Sequence, residues 1–313
     1  MSCPNCFSGS EHTHGTPQGT IETVHGIRTY TAGIDSTSND ETPESKSAII
    51  YLPDAFGLKL VNNLLLADAY AARTGCLVLI PDVVYGGGIS PHVLPLMEVL
   101  LEPAPSWSVT SVFWKTVNAL RALPYIVPFL LFGHPKNTFP QVLDYARAVR
   151  AELPAGGKLG VAGFCWGAWG ATKLCAENAT ADGAGERLID AQFNAHPSFI
   201  IDTPEMVVDA ITRFRVPYAS AVAELDFQFN AAAAERTEAK VREAAANSTG
   251  MGAGTGNGAS GDGDGDNGLI YEFKIYKGCK HGFGVRAVQD TVNMDGYRDA
   301  LEQAVAWFNK YLN

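Results

Sequence analysis

From about residue 47 to its end the chain alternates strand-length apolar runs with segments of helical periodicity, and that alternation limits it to a small set of folds. Residues 47–52 (SAIIYL) and 76–80 (CLVLI) have the continuous apolar character of strands covered on both faces. Between them, residues 58–75 repeat Val61, Leu64, Leu65, Ala69 and Ala72 at helical spacing, which makes a β-α-β unit. The unit recurs: residues 158–164, 216–223 and 269–276 read as strands, and 166–177, 231–246 and 296–312 as helices. A further strand precedes His196 in the run NAHPS, and an early hairpin turns at Gly26 between alternating stretches from Thr20 to Thr31. The order predicts one α/β fold: a parallel or mostly parallel sheet flanked by helices. A chain of 313 residues could hold two domains. Because no linker-like boundary divides the alternation, a single domain over 19–313 is expected, preceded by an irregular polar arm, 1–18.

Two segments interrupt the pattern. Residues 86–137 carry Trp107, Phe113, Trp114, Tyr125, Phe129 and Phe132 and read as a helical cap insertion. Its most apolar part, 122–133, is broken by Pro124 and Pro128 and falls short of the roughly 20 residues that cross a bilayer, so it can touch lipid without spanning it. Residues 246–268 are rich in Gly and Asp and too poor in apolar side chains to repay ordering, which predicts a flexible loop. Asp262, Asp264 and Asp266 lack the glutamate that a calcium loop needs. With 23 basic against 33 acidic residues the net charge is −10, which argues against nucleic acid and other polyanions as partners. Six cysteines are too few for a disulfide scaffold, and the opening MSCPNCFSGSEHTHG has no secretory pattern, so a cytoplasmic monomer or homodimer with free thiols is expected.

The chemistry concentrates at Gly163-Phe164-Cys165-Trp166-Gly167, where a buried strand runs into a helix. A G-x-C-x-G strand-to-helix turn forces its central residue into a strained conformation and displays that side chain at the C-terminal edge of the sheet. There a helix N-terminus lowers the pKa of Cys165 and the Trp166 N–H faces a developing oxyanion. Such a thiol needs a base, and the base an acid, in the chain order nucleophile, acid, histidine. Asp226, in Ala-Glu-Leu-Asp, and His281, in Lys-Gly-Cys-Lys-His-Gly-Phe, each follow a strand and fit that order. Glu224, His196 and His134 are alternates, and Asp226 also fits a helix N-cap.

These residues, with Gly282 and Phe283 after the histidine, resemble the dienelactone hydrolase family over about residues 20–312, and the N-terminal Cys-Pro-x-Cys-Phe-x-Gly and the cap are similar to its fungal branch. The resemblance implies an α/β-hydrolase fold and cofactor-free, metal-free cleavage of small esters or lactones, with Cys165 as nucleophile, His281 as base and Asp226 as its orienter. Pro53-Asp54-Ala55-Phe56-Gly57 is similar to the family's oxyanion loop, which implies that Ala55 donates its N–H with Trp166 and that Asp54, in place of a bacterial glutamate, partners the resting thiol. Phe56, Tyr85, Phe283 and Arg286 are the substrate-binding candidates. Bacterial members bind a substrate carboxylate with two arginines; here Val83-Val84-Tyr85-Gly86-Gly87 lacks the first, and Val285 stands at the second with Arg286 one residue on. A neutral or aromatic ester or lactone is therefore the expected substrate. Other readings of the same residues are a small-molecule binder, a thiol redox sensor in which Cys279 could pair with Cys165, and an isomerase or lyase acting on an aromatic metabolite. Cys3, Cys6, His12 and His14 do not have a compact zinc-site spacing.

Overall fold

The computed structural model describes residues 15–33, 45–101, 108–183, 185–248, 268–288 and 291–313. Cys3, Cys6, His12, His14, Trp107, Asp262, Asp264 and Asp266 lie outside those residues, as do most of the 1–18 arm and most of the 246–268 loop. Strands β1 (Thr20–Val24) and β2 (Ile27–Ala32) form the expected hairpin. Its two turn residues, His25 and Gly26, sit at φ 49° and 78°, the left-handed pair that a two-residue hairpin connection requires. Six further strands follow: β3 (Ala48–Leu52), β4 (Leu77–Pro81), β5 (Leu159–Phe164), β6 (Ala191–Ala195), β7 (Tyr218–Ala223) and β8 (Tyr271–Tyr276). Among the described residues they make one sheet in the order β1-β2-β4-β3-β5-β6-β7-β8. β4 and all strands beyond it run parallel, whereas β2 pairs antiparallel with β1 and β4.

Every residue of β3, β5, β6 and β7 is buried, the condition under which a strand reads as a continuous apolar run. Tyr51 of β3 stacks on Phe164 of β5 with ring centroids 4.6 Å apart. Burying each such side chain contributes about 1.5–3 kcal/mol. β6 (AQFNA) has no apolar run, yet Gln192 and Asn194 are wholly buried. Asn194 donates to the Tyr218 hydroxyl at 2.8 Å and accepts from Ser220 Oγ at 2.6 Å, so a polar strand is tolerated because its neighbours supply partners.

Helix α1 (Val61–Thr74) crosses from β3 to β4 and ends on Gly75 at φ 68°, a left-handed C-terminal stop. The insertion between β4 and β5 contains α2 (Val93–Leu101) and α3 (Val109–Phe132), followed by α4 (Phe139–Glu152). α3 runs unbroken through Pro124 and Pro128, where the sequence points to an interruption. Each proline removes one backbone hydrogen bond; at the end of the helix the Gly133 N–H donates to Phe129 O at 2.7 Å and the Asn137 side chain donates to Phe132 O at 3.0 Å. α5 (Trp166–Leu174) follows β5, and α6 (Pro204–Thr212), α7 (Ala231–Ser248), the short α8 (Phe283–Arg286) and α9 (Val292–Leu312) complete the chain. α4 and α6 were not anticipated as elements. The ends of β3, β5, β7 and β8 all point to one edge of the sheet, where Pro53–Gly57, Cys165, Asp226 and His281 emerge.

Candidate active site

Cys165 occupies φ 51°, ψ −111° between β5 and α5, a backbone region that an L-residue enters only when its surroundings enforce it. The flanking glycines show what does so. A Cβ on Gly163 would lie 2.7 Å from both Ala168 Cα and Ala171 Cβ, and one on Gly167 would lie 2.1 Å from the Leu52 carbonyl oxygen. The bend is held by backbone hydrogen bonds from Cys165 N–H to Ala195 O at 3.2 Å and from Ser198 N–H to Cys165 O at 3.0 Å. The result is a thiol at the sheet edge beside the N-terminus of α5.

His281 Nε2 lies 3.1 Å from Cys165 Sγ, and His281 Nδ1 lies 2.8 and 3.0 Å from the two carboxylate oxygens of Asp226. Asp226 is oriented in turn by the Gln228 N–H, 2.7 Å from Oδ1. The loops after β7 and β8 are stitched together by Leu225 N–H donating to Cys279 O at 3.0 Å and Glu224 N–H donating to Tyr276 O at 3.1 Å. The His281 and Asp226 side chains are wholly buried. Burial pushes the imidazole toward its neutral form, but the Asp226 carboxylate and Cys165 more than offset this and raise its pKa to about 10. The arrangement can therefore move a proton from sulfur to Nε2 and keep the resulting imidazolium. The amides of Ala55 and Trp166, the expected oxyanion donors, engage no protein acceptor among the described residues.

Asp54 accepts from the Phe56 N–H at 3.1 Å and from Asn63 Nδ2 at 3.0 Å on one oxygen, while the guanidinium of Arg286 engages the other. Both side chains of this ion pair are fully buried, and the Arg286 guanidinium lies 5.1 Å from the Phe56 ring centroid. Burial raises the Asp54 pKa and Arg286 opposes it, with the charge of Cys165 pushing in the same direction as burial. Arg286, proposed from the sequence as a substrate contact, thus spends its charge on Asp54. Phe56 and Phe283 are also buried, Phe283 packing on Tyr276 and His196, whereas Tyr85 is exposed with its ring 5.7 Å from that of Phe132.

The alternates are engaged elsewhere. His134 Nδ1 accepts the Lys136 N–H at 3.1 Å, and Glu224 accepts the Gly278 N–H at 2.8 Å. His196 is wholly buried, stands edge-on to His281 at 5.1 Å and takes the Gly284 N–H on Nδ1 at 3.3 Å, while its Nε2 has no hydrogen-bond partner. Burial, aided by His281 and Arg286, holds its pKa well below the ordinary value, so it packs as a neutral ring. Cys279 is a free thiol whose Sγ faces Val292 O at 3.5 Å. One neighbour of the thiol was assigned no role from sequence: Ser198 Oγ is 3.5 Å from Cys165 Sγ. It follows His196 and Pro197 in a loop whose His196 and Phe199 have φ 40° and 65°, a strain that leaves no mark in composition or periodicity.

A mostly parallel eight-stranded sheet whose edge joins a residue at a strand-to-helix elbow to a later acid and then a histidine defines an α/β-hydrolase. A dienelactone hydrolase family model matches residues 35–249, and the chain belongs to that family; it is a hydrolase of the ester and lactone class. The hydrolase pyvD of Aspergillus violaceofuscus is 25% identical over 309 residues, covering 98% of this chain and 96% of that protein. A Gibberella moniliformis protein named Dienlactone hydrolase 1 is 26% identical over 215 residues, 68% of this chain and 67% of its own length. Among solved structures, a putative dienelactone hydrolase from Klebsiella pneumoniae superposes with a TM-score of 0.55 at 15% identity, covering 94% of this chain and 98% of that one.

Proposed function

We propose that the protein is a cysteine-dependent hydrolase of small neutral or aromatic esters or lactones, working through an acyl-thioester. His281 takes the Cys165 proton, and the thiolate adds to the carbonyl carbon while the carbonyl electron pair moves onto oxygen, opposite the Ala55 and Trp166 amides. The tetrahedral species collapses by expelling the alkoxide, which receives the proton from His281; in a lactone it remains tethered. Water, deprotonated by His281, then attacks the thioester and releases the carboxylic acid and the thiol. Asp226 keeps Nδ1 protonated throughout. The single observation carrying this reading is the hydrogen-bonded chain Sγ···Nε2 at 3.1 Å and Nδ1···carboxylate at 2.8 Å, assembled at an elbow. Ser198 Oγ, 3.5 Å from the sulfur, is a further donor to the thiolate. Residues 86–137 form the cap over this edge of a single domain, and four unpaired cysteines among the described residues, Cys76, Cys165, Cys175 and Cys279, fit a reducing, cytoplasmic setting.

Selection for neutral substrates follows from charge. Arg286 is already neutralised by Asp54, and residues 83–87 (VVYGG) offer no cation, so a substrate carboxylate would be buried without a partner at a cost of several kcal/mol. Purified protein is expected to cleave neutral aryl esters and neutral lactones at least about tenfold faster, in kcat/KM, than a carboxylate-bearing dienelactone, since 1.4 kcal/mol already corresponds to a factor of ten. A reversed preference would remove this part of the proposal.

The His281 ionisation also sets a pH signature. Because its folded pKa is raised from 6.5 to about 10, the pairing contributes fully below about 6.5 and is lost progressively as pH rises toward about 10. Urea unfolding of the wild type should therefore show stability declining over that alkaline window. Asp226→Asn, which removes the principal cause of the upward shift, should flatten the decline; equal slopes for the two proteins would contradict the assignment.

A further inference from the structure

We propose that the outward face of α3 docks onto a lipid bilayer surface. The helix buries one narrow stripe, Asn118, Ala122 and Phe129, and an ordinary surface helix would present polar residues opposite it. α3 does the reverse. Val109, Phe113, Leu120 and Leu131, spaced by four, seven and eleven positions along one side, are 89%, 60%, 62% and 68% exposed, and Trp114, Leu123, Tyr125, Leu130 and Phe132 widen the face on its flanks. An apolar surface of this extent marks an interaction site rather than scattered exposure.

Charge selects the occupant. Lys115 and Arg121 are the only charged residues of α3, which has no acid anywhere along its 24 residues in a chain of net charge −10. A second copy packed helix against helix would bring four cations together with no counter-charge from either α3. Lipid phosphates supply that counter-charge, and Trp, Phe and Leu beside Lys and Arg form the pattern of a helix lying in a membrane interface. No helix among the described residues is long and apolar enough to cross, so α3 lies on the surface instead of spanning it.

Docking would also set where the active-site edge faces. Just beyond the C-terminal end of α3, Gly133 O accepts the indole N–H of Trp166, the residue after Cys165, and the Phe132 ring sits 5.7 Å from that of Tyr85. A docked α3 would hold the thiol's end of the sheet close to the interface, within reach of lipophilic esters dissolved in the bilayer. This last clause rests on the proposed hydrolytic reading; the docking itself does not.

Vesicle co-sedimentation tests the docking directly. Wild-type protein is expected to pellet with phosphatidylcholine vesicles, and more strongly when phosphatidylserine is included. The double variant Leu120→Glu/Leu131→Glu should lose at least about tenfold in partitioning, the scale set by placing two charges in an apolar contact, with an unchanged circular dichroism spectrum. If that variant does not fold, Lys115→Gln/Arg121→Gln should abolish the phosphatidylserine dependence. Wild type remaining in the supernatant at all lipid concentrations, or variants pelleting like wild type, would overturn the proposal. So would a lipid-free dimer, measured by light scattering, that the Leu120→Glu/Leu131→Glu substitutions dissociate, because the face would then belong to a second copy.

Discussion

Cys165→Ala is expected to abolish ester turnover, lowering kcat by about 10⁴ or more, while the fold persists. The size of the loss follows from the proposed role: without the sulfur there is no covalent intermediate, and His281 and Asp226 act on nothing. The fold should survive because the bend at φ 51° is enforced by backbone hydrogen bonds and by the bare glycines at 163 and 167, none of which the thiol supplies. Alanine enters that conformation as readily as cysteine does. Steady-state kinetics on p-nitrophenyl acetate, together with a thermal unfolding midpoint, measures both halves. Retained turnover in a folded Cys165→Ala protein would remove the sulfur from the mechanism.

Arg286→Met is expected to cost about 3–5 kcal/mol of stability, the usual consequence of leaving one member of a buried ion pair without its partner. Asp54 and Arg286 are both fully buried, and burial already raises the Asp54 pKa with the arginine in place. Without the arginine the carboxyl should take up a proton or the loop should open, and in either case Phe56 loses the guanidinium stacked on its ring. Adding Asp54→Asn should recover much of the loss, because an amide retains the hydrogen bond to the Phe56 N–H and carries no charge. Urea denaturation of the two variants and the wild type decides the matter. A single variant within about 1 kcal/mol of wild type would show that the pair does not hold the oxyanion loop to α8.

The parts of this architecture legible in the sequence were those in which a local pattern carries the constraint. Continuous apolar runs revealed β3, β4 and β5 because those strands are covered on both faces, and the glycines at 163 and 167 revealed the elbow because nothing larger fits. Asp226 and His281 were legible by chain order after strands. What stayed hidden depends on pairing in three dimensions. β6 spells its buried positions with Gln192 and Asn194, and only the hydroxyls of Tyr218 and Ser220 make Asn194 acceptable there. Asp54 meets Arg286 across 232 positions, so the sequence could point to each residue separately but not to their mutual neutralisation. Ser198 approaches Cys165 through a loop bent at His196 and Phe199, a geometry invisible to periodicity. Pro124 and Pro128 misled in the other direction, since α3 continues through both.

The most direct measurement is rapid acid quench of the enzyme during turnover of p-nitrophenyl acetate, followed by peptide mass spectrometry. An acetyl adduct on Cys165, formed in wild type and absent from His281→Ala, is the expected result. An adduct on any other side chain, or steady turnover by a protein in which Cys165 has been blocked beforehand with iodoacetamide, would contradict the account.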